Sequence, residues 1–283
     1  SAGELTVEES NFRNNVAANF GGGIANYGSS LIVNACSFYG NDAAKGGGIW
    51  NGNIGEAINS TFYGNTADDI GGGIYNQSVM EVSGSTLSEN GAVTDGGSIY
   101  NKSSGSLILK NNILANAASG GECSNAGTIS INIGNLIEDN SCSPALSGDP
   151  ILGTYDYHGG PTRTFPLLSS SPAVDAGEDS VCESVDQRGV ARPQGAHCDI
   201  GAYERGALSE VNTTADPGDG FCDNSECTLR EAIDAAASGD TLTFATGLSG
   251  ETIDLGQVVQ IGKDLTLDGS GLSQTVRISG GGR

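Results

Sequence analysis

Gly21-Gly22-Gly23-Ile24 returns as Gly46-Gly47-Gly48-Ile49, again as Gly71-Gly72-Gly73-Ile74, and once more as Gly96-Gly97-Ser98-Ile99. Each start lies 25 residues after the last. Working outward from these strings, Asn26, Asn51, Asn76 and Asn101 each follow the Ile by two residues. An apolar run comes next, as in Leu31-Ile32-Val33 and Leu107-Ile108-Leu109. Then Phe12, Phe38, Phe62 and Leu87 occupy a third matched position, each followed three residues on by Asn15, Asn41, Asn65 and Asn90.

A unit of three short alternating strands with Gly, Asn and Ser turns has too little apolar face to fold alone. Stacked units solve this, because each strand pairs in parallel with its equivalent one coil away and the inward residues share a core. The expected fold is all-β, a right-handed parallel β-helix of about 25 residues per coil. The recurring Asn residues should stack as hydrogen-bonded ladders. Gly should provide corners at positive φ and close backbone approach. No 3.6-residue period runs through the units, which excludes a helical repeat.

The 283 residues include 45 Gly, 34 acidic and only 12 basic side chains, for a net charge of −22. Such a surface repels phosphate backbones and anionic lipid heads, so nucleic acid is not an expected partner. With 37% hydrophobic residues the chain is no acidic disordered tail. No stretch of 18 apolar residues is present, so no membrane span is expected, and no signal-peptide pattern opens the chain. Its first residue is Ser1 and its one Met is Met80. A processed product or an excised piece is therefore expected.

Six of the seven Cys fall into local pairs, Cys123/Cys142, Cys182/Cys198 and Cys222/Cys227. No CxxC and no Cys/His cluster at zinc spacing appears, so disulfides in an oxidising, extracellular or cell-surface setting are expected. Cys36, which alternates with Asn34 and Phe38, reads as a buried free thiol.

The rhythm fades after Asn116, although Ile129, Ile131, Ile133 and Leu136-Ile137 still suggest one or two coils. From Asp149 the chain turns Pro-rich. It carries Gly-Gly-Pro-Thr-Arg-Thr (159–164), Ser-Pro-Ala-Val-Asp-Ala-Gly (171–177), Asp-Gln-Arg-Gly-Val-Ala-Arg-Pro-Gln-Gly (186–195) and Cys-Asp-Ile-Gly-Ala-Tyr-Glu (198–204). These strings resemble the choice-of-anchor Q domain, and the resemblance implies a cap following β-helix coils in bacterial surface and secreted proteins. Arg188 and Arg192 are expected to pair with Asp186, Asp199 or Glu204 there. Further on, Cys227-Thr228-Leu229-Arg230-Glu231-Ala232-Ile233 is similar to the CSLREA domain, with Thr228 in place of Ser. Thr228 with Glu231 reads as a capping box, Leu229, Ile233 and Ala236 as one apolar stripe, and Gly239 as the helix stop. Strands should follow at 241–244, 252–255, 257–261, 265–267 and 276–278. The CSLREA resemblance implies an N-terminal cap of a β-helix, here in permuted order. The expected domains are 1–148, coils; 149–206, a Pro-rich disulfide-tied cap; and 207–283, a cap helix with the first coils of a new stack.

If Gly280-Gly281-Gly282-Arg283 is read straight into Ser1-Ala2-Gly3-Glu4-Leu5-Thr6-Val7, the result imitates residues 71–90. Four residues from Gly280 to Arg283 and twenty from Ser1 to Phe20 make a coil of 24. Ser1, Leu5, Val7, Val276, Ile278, Gly280, Gly281, Gly282 and Arg283 are therefore the expected assembly ends. Matching open edges that do not close on themselves build filaments. The lead expectation is a structural unit of an extracellular fibre, joined head to tail with copies of itself, either as separate subunits or as tandem repeats of one long polypeptide. The alternative is a fragment or permutant whose ends meet nothing.

A second expectation is of another class. Parallel β-helices resemble pectate lyases and other polysaccharide-acting enzymes, which cluster carboxylates on one face. Asp42, Asp68, Asp69 and Asp95 recur before the Gly triplets as candidates. Arg13, Lys45, Lys102 and Lys110 do not recur at one position to serve them, so no catalytic residue is assigned and solvated acidic turns are the expectation. Asp216, Asp219, Asp223 and Glu226 have the oxygen donors that Ca²⁺ takes, without the twelve-residue loop spacing. No other cofactor is indicated. Trp50, Tyr75 and Tyr100 share one register position. Pleat alternation points them outward, as a surface aromatic stripe suited to surface glycans or a cell-surface protein. Asn59, Asn76, Asn101 and Asn212 begin Asn-X-Ser/Thr sequons. The Gly-Gly-Ile and Phe-x-x-Asn rhythm resembles the repeats of polymorphic outer-membrane adhesins, which implies adhesion or surface display.

Overall fold

A computed structural model describes residues 3–28, 30–168, 170–205, 210–216, 222, 226–236 and 241–280. It divides into two compact units, 1–205 and 206–283.

In the first unit the chain winds as a parallel β-helix. Its first coil consists of β1 (Glu4–Glu8), β2 (Asn11–Arg13), β3 (Val16–Phe20) and β4 (Ile24–Asn26). Each strand pairs in parallel with its equivalents in adjacent coils. Four sheets result, with six strands in those begun by β1 and β2, four in that of β3 and five in that of β4. The coils thus carry four strands where the sequence suggested three. The unexpected one, seen again at Asp42–Lys45 and Thr66–Ile70, was hidden because it turns little but a single Ala inward: Ala43, Ala67 and Ala92 are buried in register. One small inward residue among acids gives no hydrophobic alternation to detect.

The core follows the expected ladders. Leu31 and Val33 lie in register with Leu5 and Val7, and Phe12, Phe38 and Phe62 stack face to face at 4.7 and 4.6 Å. The three glycines of each triplet answer three demands. The first turns the corner at φ between +61° and +71°. A Cβ on the second, as at Gly72, would run into the carbonyl oxygens of Gly91 and Gly97. A Cβ on the third, as at Gly23, would press on the Phe38 ring.

Both Asn ladders form. Asn26, Asn51, Asn76, Asn101 and Asn125 pass a side-chain amide bond from coil to coil at 2.7–3.0 Å. Asn15, Asn41, Asn65 and Asn90 do the same at 2.8–2.9 Å, and Asn65 also donates to the Phe38 carbonyl. Asn76 and Asn101 are buried in this way, and Asn59 is buried as well, so these three sequons are closed to modification. A third ladder escaped the sequence reading because its residue type changes along the way. The Cys36 amide donates to Ser60 Oγ, the Ser60 amide to Ser85 Oγ and the Ser85 amide to Asn112 Oδ1, and Asn112 donates to Asn135. Cys36 stands at the head of that ladder as a buried free thiol, and burial pushes its pKa up.

Residues 149–205 do more than cover the last coil. They run back along the outer face of the second sheet, whose strands alternate one inward residue between two outward ones. Ala202 N donates to Thr86, Thr61 donates to Gln187, and Tyr155 shares a hydroxyl bond with Ser37. Inside the segment, Arg188 grips Asp186 through two nitrogens at 2.9 and 2.7 Å. Arg192 lies 3.3 Å from Glu204 and donates to the carbonyls of Asp199 and Gly201. Asp186 and Glu204 are buried, so these pairings offset the cost of taking their charge out of water, while the buried Asp199 carboxyl accepts from the amides of Asp175 and Arg205.

In the second unit α1 (Leu229–Ala235) starts at Thr228 with the complete capping box to Glu231. Leu229, Ala232 and Ile233 join Val211, Leu242, Phe244, Leu248 and Ile253 in one core. Gly239, the expected stop, lies outside the described residues. Strands Glu210–Val211, Thr241–Phe244 and Thr266–Asp268 form one parallel sheet, and Thr252–Asp254 pairs with Arg277–Ser279. Residues 257–261 are not a strand as expected. The Gln257 and Val258 carbonyls accept from Arg230 instead of a ladder partner.

Candidate assembly edges and aromatic stripe

Matched register positions allow the same side chain to be compared in covered and uncovered coils. In the first unit Leu5 pairs with Leu31, yet Leu5 is 49% exposed and Leu31 1%. Val7 and Phe12 are only partly buried against the core. In the second unit Leu242 pairs with Leu267 and Ile253 with Ile278. Leu242 and Ile253 are fully buried, whereas Leu267 is 41% and Ile278 45% exposed. Above them opens a cleft of about 710 Å³, lined by residues that include Leu255, Val259, Ile261, Leu267, Ile278 and Gly280. Val276 is partly buried against the core below it.

The two open edges have opposite polarity. In the first unit the uncovered residues lie on the earliest described coil, and in the second unit on the latest. Both stacks advance by the same period, since Thr241 meets Thr266 and Thr252 meets Arg277, 25 residues apart. Ser1, Gly281, Gly282 and Arg283 of the expected ends lie outside the described residues.

The aromatic stripe exists as a stack but not as a surface. Trp50, Tyr75 and Tyr100 are in register with nearly parallel rings, centroids 6.5 and 5.6 Å apart. Trp50 and Tyr75 are nevertheless only 7% and 4% exposed. Phe20 and Tyr27 close over Trp50 at 5.0 and 4.8 Å. The Lys45 ammonium sits 5.9 Å from the Tyr75 ring and pairs with Asp69. Pleat alternation correctly turned these rings away from the core, but a ladder of flat rings buries its own faces. Phe20 and Tyr27, the aromatic residues flanking the first Gly triplet, were the available signal.

The three Cys pairs are bonded, Cys123–Cys142, Cys182–Cys198 and Cys222–Cys227. Cys142 packs on the main core, so the first bond ties the chain after the last coil onto that coil. The candidate acids do not converge. Asp42 accepts from Thr66, Asp69 from Thr94 and Asp95 from Ser124, each bond bridging to the next coil. They act as rungs along the stack. Asp216 gives its oxygens to Arg230 and to the Gly256 amide. Asp219 and Asp223 lie outside the described residues. Among the described residues no cluster of three His, Cys, Asp or Glu side chains has metal-binding geometry, and no helix is long and apolar enough to cross a membrane.

Residues 59–77 match the Chlamydia polymorphic membrane protein repeat. The match covers three of the four strands of one coil, from the Asn59 corner through Phe62, Asn65 and the Gly71 triplet to the Asn76 rung. Comparison with curated proteins and with solved structures returns no match.

Proposed function

We propose that this chain is a building unit of an extracellular, cell-surface β-solenoid that joins copies of itself head to tail. The open latest coil of residues 241–280 in one unit receives the open first coil of residues 3–26 in the next. The observation that carries this reading is the pair of register comparisons, Leu242 with Leu267 and Leu5 with Leu31. In each, the side chain with a coil on one side only is about half exposed while its register partner is covered. The edges have opposite polarity and one period, so a contact between them is heterologous, the kind that builds filaments where it does not close on itself. The next coil comes from a separate subunit or from a further repeat of the same polypeptide. Either way the −22 charge keeps the flanks of neighbouring fibres apart. The match of residues 59–77 to a polymorphic membrane protein repeat supports display at a surface and with it an adhesive role.

Sedimentation and negative-stain imaging of the full chain test the proposal. Rods of constant width that lengthen with concentration are expected. They should disappear in a Leu267→Asp, Ile278→Asp double variant, whose melting temperature stays near wild type because both positions are already half in water. A monodisperse monomer at high protein concentration overturns the reading. Mass under denaturing conditions then assigns the form: 28.5 kDa for subunits, a ladder of multiples for tandem repeats.

A further inference from the structure

We infer that the flank of the first coil holds a binding cleft for a sugar ring bearing a single carboxylate. It lies wholly within the first unit. Along the second sheet, each coil presents two outward residues: Asn11 and Arg13, then Ser37 and Tyr39, Thr61 and Tyr63, Thr86 and Ser88. Residues 149–205 cover this row back as far as Ser37 and Tyr39. Beyond that point Asn11 and Arg13 are exposed, and a cleft of about 240 Å³ remains, lined by residues that include Asn11, Arg13, Tyr39, Tyr155, Tyr157 and Arg163.

Its floor is rigid and aromatic. Tyr155 packs on Tyr39, Tyr63 and Phe165 at 5.6, 4.5 and 5.2 Å. Its hydroxyl is fixed by Ser37, and burial pushes its pKa up to about 12. Tyr157 stands 51% exposed at the rim, with the Arg163 guanidinium 4.9 Å above its ring. Arg163 approaches Asp156 only loosely, at 3.6 Å. Two of the chain's 12 basic residues thus meet at one aromatic cleft in a molecule of net charge −22.

The chemistry selects the ligand class. Tyr rings offer flat apolar faces to the C–H face of a pyranose. Guanidinium groups take a carboxylate through paired N–H donors. The volume falls below the roughly 300 Å³ at which drug-sized pockets begin, which suits one ring. Phosphate or sulfate alone would leave the rings unused. A polyuronate would meet the repulsion of the whole acidic surface. A single acidic sugar within or at the end of an otherwise neutral glycan meets neither objection.

The test uses the full chain, diluted until sedimentation shows monomer, with methyl glucuronoside and methyl glucoside as probes. They differ only at the C6 carboxylate. Titration followed by NMR should show the uronoside binding about ten-fold tighter or more, the size of a charge-assisted hydrogen bond. An Arg13→Gln, Arg163→Gln double variant should erase that preference. Tyr157→Ala should weaken both probes by the same factor, and sulfate at matched ionic strength should fail to displace the uronoside. Equal binding of the two probes, no uronoside binding, or full displacement by sulfate each overturns the inference. Unchanged melting temperatures of the variants show that the loss is local.

Discussion

The interior coil around Phe62 and the edge coil around Phe12 are built from the same sequence pattern and behave differently. Phe62 lies between Phe38 and the Leu87 position and is fully buried. Phe12 has a ring on one face only and is partly buried. In a quasi-one-dimensional stack a residue gains from its own coil and from each neighbour, so an edge coil forfeits one interface. The comparison teaches that position in the stack, more than residue type, sets the stability of each coil.

The largest expected effects break the interior. Phe62→Ala should cost about 3–5 kcal/mol, because two stacked neighbours keep the cavity from collapsing. Phe12→Ala should cost less than half as much, and chemical denaturation of both variants checks the ratio. Equal losses would show that the first coil is already covered in solution.

Gly72→Ala and Gly28→Ala sharpen the same contrast through the backbone. A methyl at Gly72 meets carbonyl oxygens of two neighbouring strands, whereas one at Gly28 meets nothing within 4 Å. Gly72→Ala should prevent the stack from folding cooperatively, seen as loss of a sharp thermal transition. Gly28→Ala should leave the midpoint within a degree or so, as small surface changes do.

The ladders come next. Asn65→Ala removes bonds to Asn90 and to the Phe38 carbonyl and deprives the Asn41 amides of their acceptor, all in buried surroundings. About 2–3 kcal/mol should be lost. Asn15→Ala, at the exposed edge, should lose about 1 kcal/mol or less.

The last test is a pH slope. Burial raises the pKa of Glu122 from an ordinary 4.5 to about 7, and that of Asp199 from 3.8 to about 7. Raised carboxyl pKa values mean that the folded chain holds protons the unfolded chain releases. Their contribution is fully present below the unfolded values and is lost as pH rises to about 7. Stability of the first unit should therefore fall between about pH 4.5 and 7 and level off above. Glu122→Gln should remove roughly half of that slope, leaving the part due to Asp199. A slope unchanged in the variant would remove Glu122 from this account.

Much of the fold could be read directly. The 25-residue recurrence of Gly-Gly-Ile fixes the coil length, and the matched Asn and Phe positions announce ladders, since stacked parallel strands place identical residues one above another. Thr228 and Glu231 identify a helix start because both halves of a capping box lie three residues apart. The fourth strand of each coil was not legible, because only Ala43 and its equivalents turn inward. The Cys36–Ser60–Ser85–Asn112 ladder was not legible either, since Cys, Ser and Asn share its rungs and no single type runs its length.

The sequence by itself determined the periodic part of this protein: the coil length, the inward rows, the corner glycines and the local Cys pairs. All of these rest on interactions at fixed separation along the chain. The tertiary structure decided what depends on distant neighbours. It laid residues 149–205 along the second sheet and stopped them short of Arg13. It folded Phe20 and Tyr27 over Trp50, so that an outward stripe became a buried stack. It also left Leu5, Leu267 and Ile278 bare while their register partners are covered. Burial is a property of what lies alongside, and no residue carries that information in its own identity.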